Sequence, residues 1–502
     1  MVVLHRCLLI LLIFCINSGY GQNPQKHIII AGEFARDIKA KEVTLFYWEE
    51  VISYSSMEFT ARQRMVAPIR DGKFRFEIHP QNSAVYLKIG WEYKSHIMVD
   101  QNFPHLYVAE SGDSVNLKID TAAGRYRIRF EGRGAAKYAA ILSRSQNHLP
   151  LKRDWNKRNS KIYDPNDYKS WRINKAKNAA DYLLKKQLAG LNRSKVRLGE
   201  DVYNLYKADI FSKIYLDHSR GLNKLLARPP LDEPISSVKT HIKGEVVRLE
   251  RKLKWFASDV DERILSRSAY YIDLLFSMAK VKAELEDISV FDVITKLEPR
   301  LIRDKVLANY FITRSSFWDS VTKDSLSRQA VAIIADPFCQ QEVTQYMEGS
   351  QVGGKAYNFS LPDMQGKEIR LSDFRGKVVF IDFWYAGCGG CAAYYREVVK
   401  GVKERYKDDS DVVFIAISID RDRERWLEYV RKGVYTSEEA VNLHCTDGTE
   451  NPIIQQFQVT YYPHPLLIDR EGRVFSDSSQ ELRLNGVEGL VDMIEKAKKG
   501  RG

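Results

Sequence analysis

The stretch FIDFWYAGCGGCAAYY, residues 380–395, sets two cysteines three positions apart, directly after an apolar run and before a helical pattern. Upstream, KVVFIDFW is a nearly continuous apolar run, as expected of a strand buried on both faces. Downstream, Tyr395, Val398, Val402 and Tyr406 share one helical stripe. Cys388 and Cys391 therefore stand at a strand-to-helix junction. Working outward, YNFSLPDMQGKEIRLSDF reads as a hairpin turning through Asp363 to Gly366, DVVFIAISI as a second buried strand, and RDRERWLEYVRK as a helix. PLLID and RVFSD are strands joined at the turn DREG, and Val487, Leu490, Val491 and Ile494 mark a final amphipathic helix. Strand and helix alternate, so residues 350–502, entered through the linker EGSQVGGK, form an α/β domain.

The pair can be read chemically at that junction. A helix N-terminus offers free backbone N–H groups and the positive end of the macrodipole, and both stabilise a thiolate. Cys388 is expected to have a lowered pKa and to attack a disulfide, and Cys391, one helical turn on, to resolve the mixed disulfide. Asp382 lies inside the apolar strand, an expensive place for a carboxylate unless it is partnered or useful; it could accept and return the proton of Cys391. A purely structural buried acid is the plainer reading of the same residue.

The leader GKAYNFSLPDMQGKEIRLSDFRGKVVFIDFW, the pair CGGC and the distal YYPHPLLIDREGRV carry a resemblance to the exported TlpA/ResA-like thiol-disulfide oxidoreductases, over about residues 354–498. That resemblance implies a thioredoxin-like fold and no cofactor beyond a redox-active Cys388–Cys391 disulfide. It aligns Asp382 with the family's acid six residues before the first active cysteine, and Trp384 with the aromatic residue just ahead of the site. It also aligns Pro463 with the family's cis-proline, whose preceding backbone, here at Tyr462, pairs with a substrate strand. Two positions depart from the family. Gly387 stands where many members have tryptophan, and Tyr394 where many have a buried glutamate, which leaves Asp382 as the better proton acceptor.

The opposite end reads as a secretory signal peptide, residues 1–21: Arg6, an apolar run from Cys7 to Ile16, and a small-x-small site at Gly19 to Gly21. The run falls short of the roughly 20 residues that cross a bilayer, and LIFC lacks the small residues a lipoprotein signal places before its cysteine. Cleavage leaves about 480 residues without a membrane span, and four cysteines: Cys339, Cys388, Cys391 and Cys445. A disulfide-stapled scaffold would carry many more. The net charge of +12 falls to +11 with Arg6 gone, and its lysines and arginines are spread through segments such as RLERKLKWF, as on a solvated helical surface. Nucleic acid is not an expected partner.

Residues 22–133 show short alternating runs (HIIIAGEF, EVTLFYW, KFRFEIH, AVYLKIGW) parted by turn signals, which predict a β-sandwich. Residues 134–349 show apolar spacing of three and four (YLLKKQLAGL, YYIDLLFSMAKV), which predicts a helical region in which His218 and His241 are packing or surface residues. The whole reads as a multidomain exported enzyme of the periplasm or cell envelope. Its expected partners are disulfide-containing envelope proteins and an upstream thiol donor. Two alternatives stay open: a copper- or zinc-binding thioredoxin-fold protein recruiting His444 and Cys445, and an envelope scaffold with an inert disulfide. Cys339 and Cys445 read as packed thiols, although export would allow them to pair.

Overall fold

The computed structural model describes residues 27–35, 38, 40–57, 60, 62–93, 96–97, 106–122, 125–143, 168–229, 234–349, 352–459 and 461–500. The signal peptide lies outside the described residues. The chain gathers into two compact units, the described residues of 1–49 with 63–145 and those of 50–62 with 146–502.

The first unit holds two sheets. Strands β1 (Ile28–Phe34), β4 (Lys73–Ile78), β8 (Ser114–Ala122) and β9 (Arg125–Arg133) run in the order β4-β1-β8-β9, with β1 parallel to β8 and antiparallel to β4. The second sheet has the order β3-β2-β5-β6, from β2 (Glu42–Trp48), β3 (Gln63–Pro68), β5 (Ala84–Tyr93) and β6 (His96–Ile97), with β7 (Tyr107–Glu110) also on β5. KFRFEI buries every second residue, Phe74, Phe76 and Ile78, so its period of two dictates one wet and one dry face.

The second unit begins its described helices with α1 (Tyr168–Asn192), α2 (Glu200–Ala227), α3 (Ile235–Ala257), α4 (Ala269–Glu286), α5 (Arg300–Arg314), α6 (Ser320–Ile333) and α7 (Pro337–Gly349). Helix α4 starts at Ser268, whose hydroxyl accepts from the Tyr271 N–H at 3.3 Å and donates to Asp209 of α2 at 2.7 Å. Residues 50–62 pack with these helices: Ser53 Oγ donates to Asn309 Oδ1 at 2.7 Å, and Lys305 Nζ to the Val51 carbonyl at 2.8 Å. His218 is buried with Nε2 2.6 Å from Glu245, and His241 is exposed.

The C-terminal part is the expected α/β domain. Its opening hairpin, β10 (Ser360–Pro362) and β11 (Glu368–Arg370), turns where Asp363 Oδ1 accepts from the N–H groups of Gln365 and Lys367, both at 2.9 Å. The main sheet has the order β14-β13-β12-β15-β16, built from β12 (Val378–Trp384), β13 (Val412–Ser418), β14 (Val441–His444), β15 (His464–Ile468) and β16 (Val474–Ser476). Central β12 is parallel to β13 and antiparallel to β15, and all seven of its residues are buried. Its two faces feed different clusters. Val379, Ile381 and Phe383 join Phe359, Leu361 and Ile417; Val378 and Phe380 join Tyr395, Val398, Val402 and the last helix, α11 (Gly486–Lys499), through Leu490, Val491 and Ile494. Among the described residues no helix is long and apolar enough to cross a membrane.

Candidate functional site

The chain leaves β12 at Trp384 and turns into helix α8 (Gly389–Tyr394), which runs on through a π turn at Tyr395–Val399 to Arg405. Cys388 is the residue that caps this helix: its Sγ accepts the Cys391 N–H at 3.0 Å. The two cysteines are joined as a disulfide, with their Cα atoms 5.3 Å apart. Both are buried in one cluster with Trp384, Trp426 and Tyr435, and Tyr462 packs against it. Helix polarity thus acts on the sulfur that the sequence singles out as the attacking one.

The corner before Cys388 is held from outside it. Gly387 has φ +101°, a left-handed conformation that favours glycine. Its N–H donates to the Tyr435 hydroxyl at 2.8 Å, the Ala386 N–H donates to Asp420 Oδ2 at 2.8 Å, and Arg425 Nη2 donates to the Ala386 carbonyl at 2.8 Å. None of Asp420, Arg425 and Tyr435 was legible as a site residue, because each comes from an element distant in sequence.

Pro463 immediately precedes β15, after a cis Tyr462–Pro463 bond, and lies over the helix start. A methyl group built on Gly390, between the cysteines, would touch Pro463 Cδ at 3.4 Å and the Tyr462 carbonyl oxygen at 3.8 Å. Tyr385, 38% exposed, sets its ring edge-on to Tyr462 with centroids 5.4 Å apart. The structure therefore gathers Cys388, Cys391, Trp384, Tyr462 and Pro463, and adds Tyr385, an exposed aromatic that the sequence did not distinguish from its neighbours. Trp384 is wholly buried beneath the pair, its ring stacked on Tyr435 with centroids 4.7 Å apart.

Asp382 shares the β12 face of Trp384, two residues on. Burial holds its carboxyl well above the usual carboxylate range, opposed only in part by the charge of Arg483. Its Oδ1 is buried without a hydrogen-bond partner. The same face receives Tyr394, whose hydroxyl donates to the Leu482 carbonyl at 2.7 Å and whose own ionisation is suppressed by burial and by Asp382. On the other face, His464 pairs with Phe383 across the sheet, and burial pushes its pKa down to about 4.

Cys339 and Cys445 are free and buried, and burial raises both thiols, Cys445 to about 12. Cys445 belongs to the cluster on the hairpin side of the sheet rather than to that of Cys388 and Cys391. The ring of His444 stacks on Trp426, with centroids 4.6 Å apart. Among the described residues no three His, Cys, Asp or Glu side chains are grouped as metal ligands.

Residues 376–474 match a family described as thioredoxin-like. The thiol-disulfide oxidoreductase ResA of Bacillus cereus strain ZK / E33L is 30% identical over 150 residues, covering 29% of this chain and 80% of that protein. ResA of Bacillus subtilis strain 168 is 28% identical over 127 residues, covering 25% and 66%. The thioredoxin domain of a Bacteroides vulgatus thiol-disulfide oxidoreductase, known from a crystal structure, is 25% identical with a TM-score of 0.25, covering 29% of this chain and 95% of that domain. With most of the Bacillus cereus protein matched and the cysteine pair at a strand-to-helix corner, the chain belongs to the TlpA/ResA-like thioredoxin-fold thiol-disulfide oxidoreductases.

Proposed function

We propose that this oxidoreductase is exported and reduces or exchanges disulfides in envelope proteins, with Cys388 attacking and Cys391 resolving. The observation that carries the assignment of roles is the 3.0 Å bond from the Cys391 N–H to Cys388 Sγ at the helix start. In the reduced enzyme the Cys388 thiolate attacks one sulfur of a substrate disulfide, and the other substrate sulfur leaves as a thiolate. Cys391 then loses its proton and attacks Cys388 Sγ, which expels the second substrate thiolate and closes the Cys388–Cys391 disulfide. Two electrons and two protons pass to the substrate. An upstream thiol donor must return them.

Asp382 is the group proposed to take the Cys391 proton. Burial raises its pKa well above the usual carboxylate range, which favours a carboxyl that can hold a proton, and it shares the β12 face of Trp384, which packs in the cysteine cluster. Substrate backbone is proposed to bind along Tyr462 and Pro463, with Trp384 backing that surface from below. Export rests on the leader pattern of residues 1–21. In the same reading, residues 22–133 form a sandwich, supported by the rings of Phe34 on β1 and Trp91 on β5, 5.1 Å apart, and of Tyr107 on β7 and Phe130 on β9, 5.7 Å apart. That region and the helices of 134–349 orient a partner for the domain of 350–502; equal activity of residues 355–502 alone on the native partner would refute this.

The deciding measurement is the reduction potential of the pair by equilibration against glutathione, with Cys388→Ser as control. A value near that of thioredoxin, about −270 mV, supports a reductase fed from upstream, and a far more oxidising one marks a disulfide donor. Absence of a reversible two-electron couple overturns the redox reading. Cys391→Ser is expected to trap a mixed disulfide with substrate, visible on a non-reducing gel, and Cys388→Ser to trap none.

A further inference from the structure

A second concave site lies where helices α2, α4 and α5 meet the loop before β15. It is a cavity of about 210 Å³ whose lining includes Arg220, Lys280, Arg314, Asp273, Phe276 and Tyr461. Asp273, Phe276 and Lys280 fall on one face of α4 at spacings of three and four, so one helix supplies a carboxylate, a ring and an ammonium to the same wall. Arg314 ends α5, and Arg220 comes from α2.

The charges in this cavity do not cancel. Asp273 is already satisfied: its Oδ2 accepts from the Ser55 N–H at 3.0 Å and hydroxyl at 2.9 Å, and its Oδ1 from Asn309 Nδ2 at 3.3 Å. Among the described residues none of the three cations forms an ion pair with a carboxylate. Arg314 Nε is buried without a hydrogen-bond partner, and among the described residues Arg220 makes its hydrogen bond to the Ser55 hydroxyl at 3.4 Å. Lys280 and Arg314 both lie over the Phe276 ring, 5.0 and 5.9 Å from its centroid. Their mutual proximity shows in ionisation: burial, with Arg314 and Arg220 beside it, pushes Lys280 down to about 8. Lys280 and Arg314 are both half-buried, and a folded chain does not ordinarily leave such partly desolvated like charges together without a counter-ion.

We propose that this cavity binds a compact phosphate dianion, either inorganic phosphate or the head of a small phosphate monoester. Three cations against one carboxylate leave a formal excess of two positive charges, which a phosphate carrying about −1.5 to −2 at neutral pH matches and a monocarboxylate does not. Guanidinium forks donate two parallel bonds to phosphate oxygens, and the Lys280 ammonium adds a point charge. The Phe276 and Tyr461 rings give a monoester's organic portion an apolar wall. The cavity uses neither cysteine of the pair, and its Tyr461 directly precedes Tyr462 of the proposed substrate surface.

Calorimetric titration of the full chain in chloride buffer at pH 7 tests it, with inorganic phosphate, phenyl phosphate and acetate as probes. Saturable one-to-one binding of at least one phosphate is expected, with acetate weaker by roughly tenfold or more. Tighter binding of phenyl phosphate identifies a monoester site, and equal or weaker binding a site for the free ion. Arg220→Gln, on an exposed side chain, and Lys280→Met are each expected to weaken phosphate binding by roughly tenfold. Circular dichroism and thermal unfolding confirm that both variants are folded. No saturable binding of either phosphate, or binding unchanged in both folded variants, overturns the proposal.

Discussion

Asp382 is the residue at which the apolar strand breaks its own rule, and its protonation ties the proposed proton transfer to stability. Its folded pKa lies well above the 3.8 of an unperturbed aspartate, so the folded state keeps a proton that the unfolded chain gives up. The stability from this group is therefore full below about pH 4 and falls as pH rises toward the folded value, by up to about 1.4 kcal/mol per pH unit. Asp382→Asn, neutral throughout, should unfold at a higher denaturant concentration than wild type, by a margin that grows as pH rises above about 4 toward the folded pKa, while slowing resolution of the mixed disulfide roughly a hundredfold. A margin independent of pH would mean that the carboxyl is not buried in its acid form. His464 has the opposite sign. Its folded pKa of about 4 lies below the ordinary 6.5, so stability is lost as pH falls through that window, by about 3 kcal/mol in all. His464→Leu should flatten the acid limb of a pH-dependent unfolding series between pH 6.5 and 4. Asp382 was legible in sequence because a lone charge in KVVFIDFW contradicts its surroundings. His464 and Arg483 were not, since a histidine or arginine is ordinary on the surface and only the folded chain buries the one and brings the other near Asp382.

At the scale of elements, the corner between β12 and α8 positions Cys388 at the helix start, and its geometry depends on a single backbone conformation. Gly387→Ala forces a Cβ onto a residue at φ +101° and should cost about 1 kcal/mol or more in urea unfolding. Gly389→Ala is the matched control. Gly389 opens α8 outside the left-handed region, and a methyl group added there would meet nothing within 4 Å, so the change should be neutral or slightly stabilising. Equal costs for the two would show that the left-handed turn is not what Gly387 supplies. The long elements around this corner could be read from periodicity, because KVVFIDFW and DVVFIAISI are apolar throughout and the stripes of α8 and α11 recur at helical spacing. Strand β14 and the short helix α10 (Pro452–Gln456) could not: VNLH and PIIQQ are too short for a period to declare itself against their polar flanks.

Over the whole second unit, the helical region and the sheet of the redox domain are joined by few but buried polar contacts. Lys323 of α6 donates to Asp477, just beyond β16, at 2.6 Å, and the two side chains are only 7% and 3% exposed. Ser478 Oγ donates to the Trp318 carbonyl at 2.5 Å beside this pair, and the Phe317 ring lies 5.2 Å from that of Tyr461, two residues before Pro463. No pattern in the sequence couples residues 154 positions apart, which is why the two regions read as separate textures with nothing to relate them. A buried ion pair contributes little net stability relative to apolar residues of the same volume, but removing one member strands a charge. Lys323→Met leaves Asp477 without its cation, its Oδ1 already lacking a hydrogen-bond partner, and should cost roughly 3–5 kcal/mol in guanidinium unfolding of the full chain. The double variant Lys323→Met/Asp477→Leu should recover most of that loss, since neither charge then remains to be desolvated. A single variant within about 1 kcal/mol of wild type would mean that water reaches Asp477 and that the two regions are not joined through this pair. Recovery in the double variant would instead make the contact a specificity device, one that fixes how the helices seat on the redox domain while adding little to its stability.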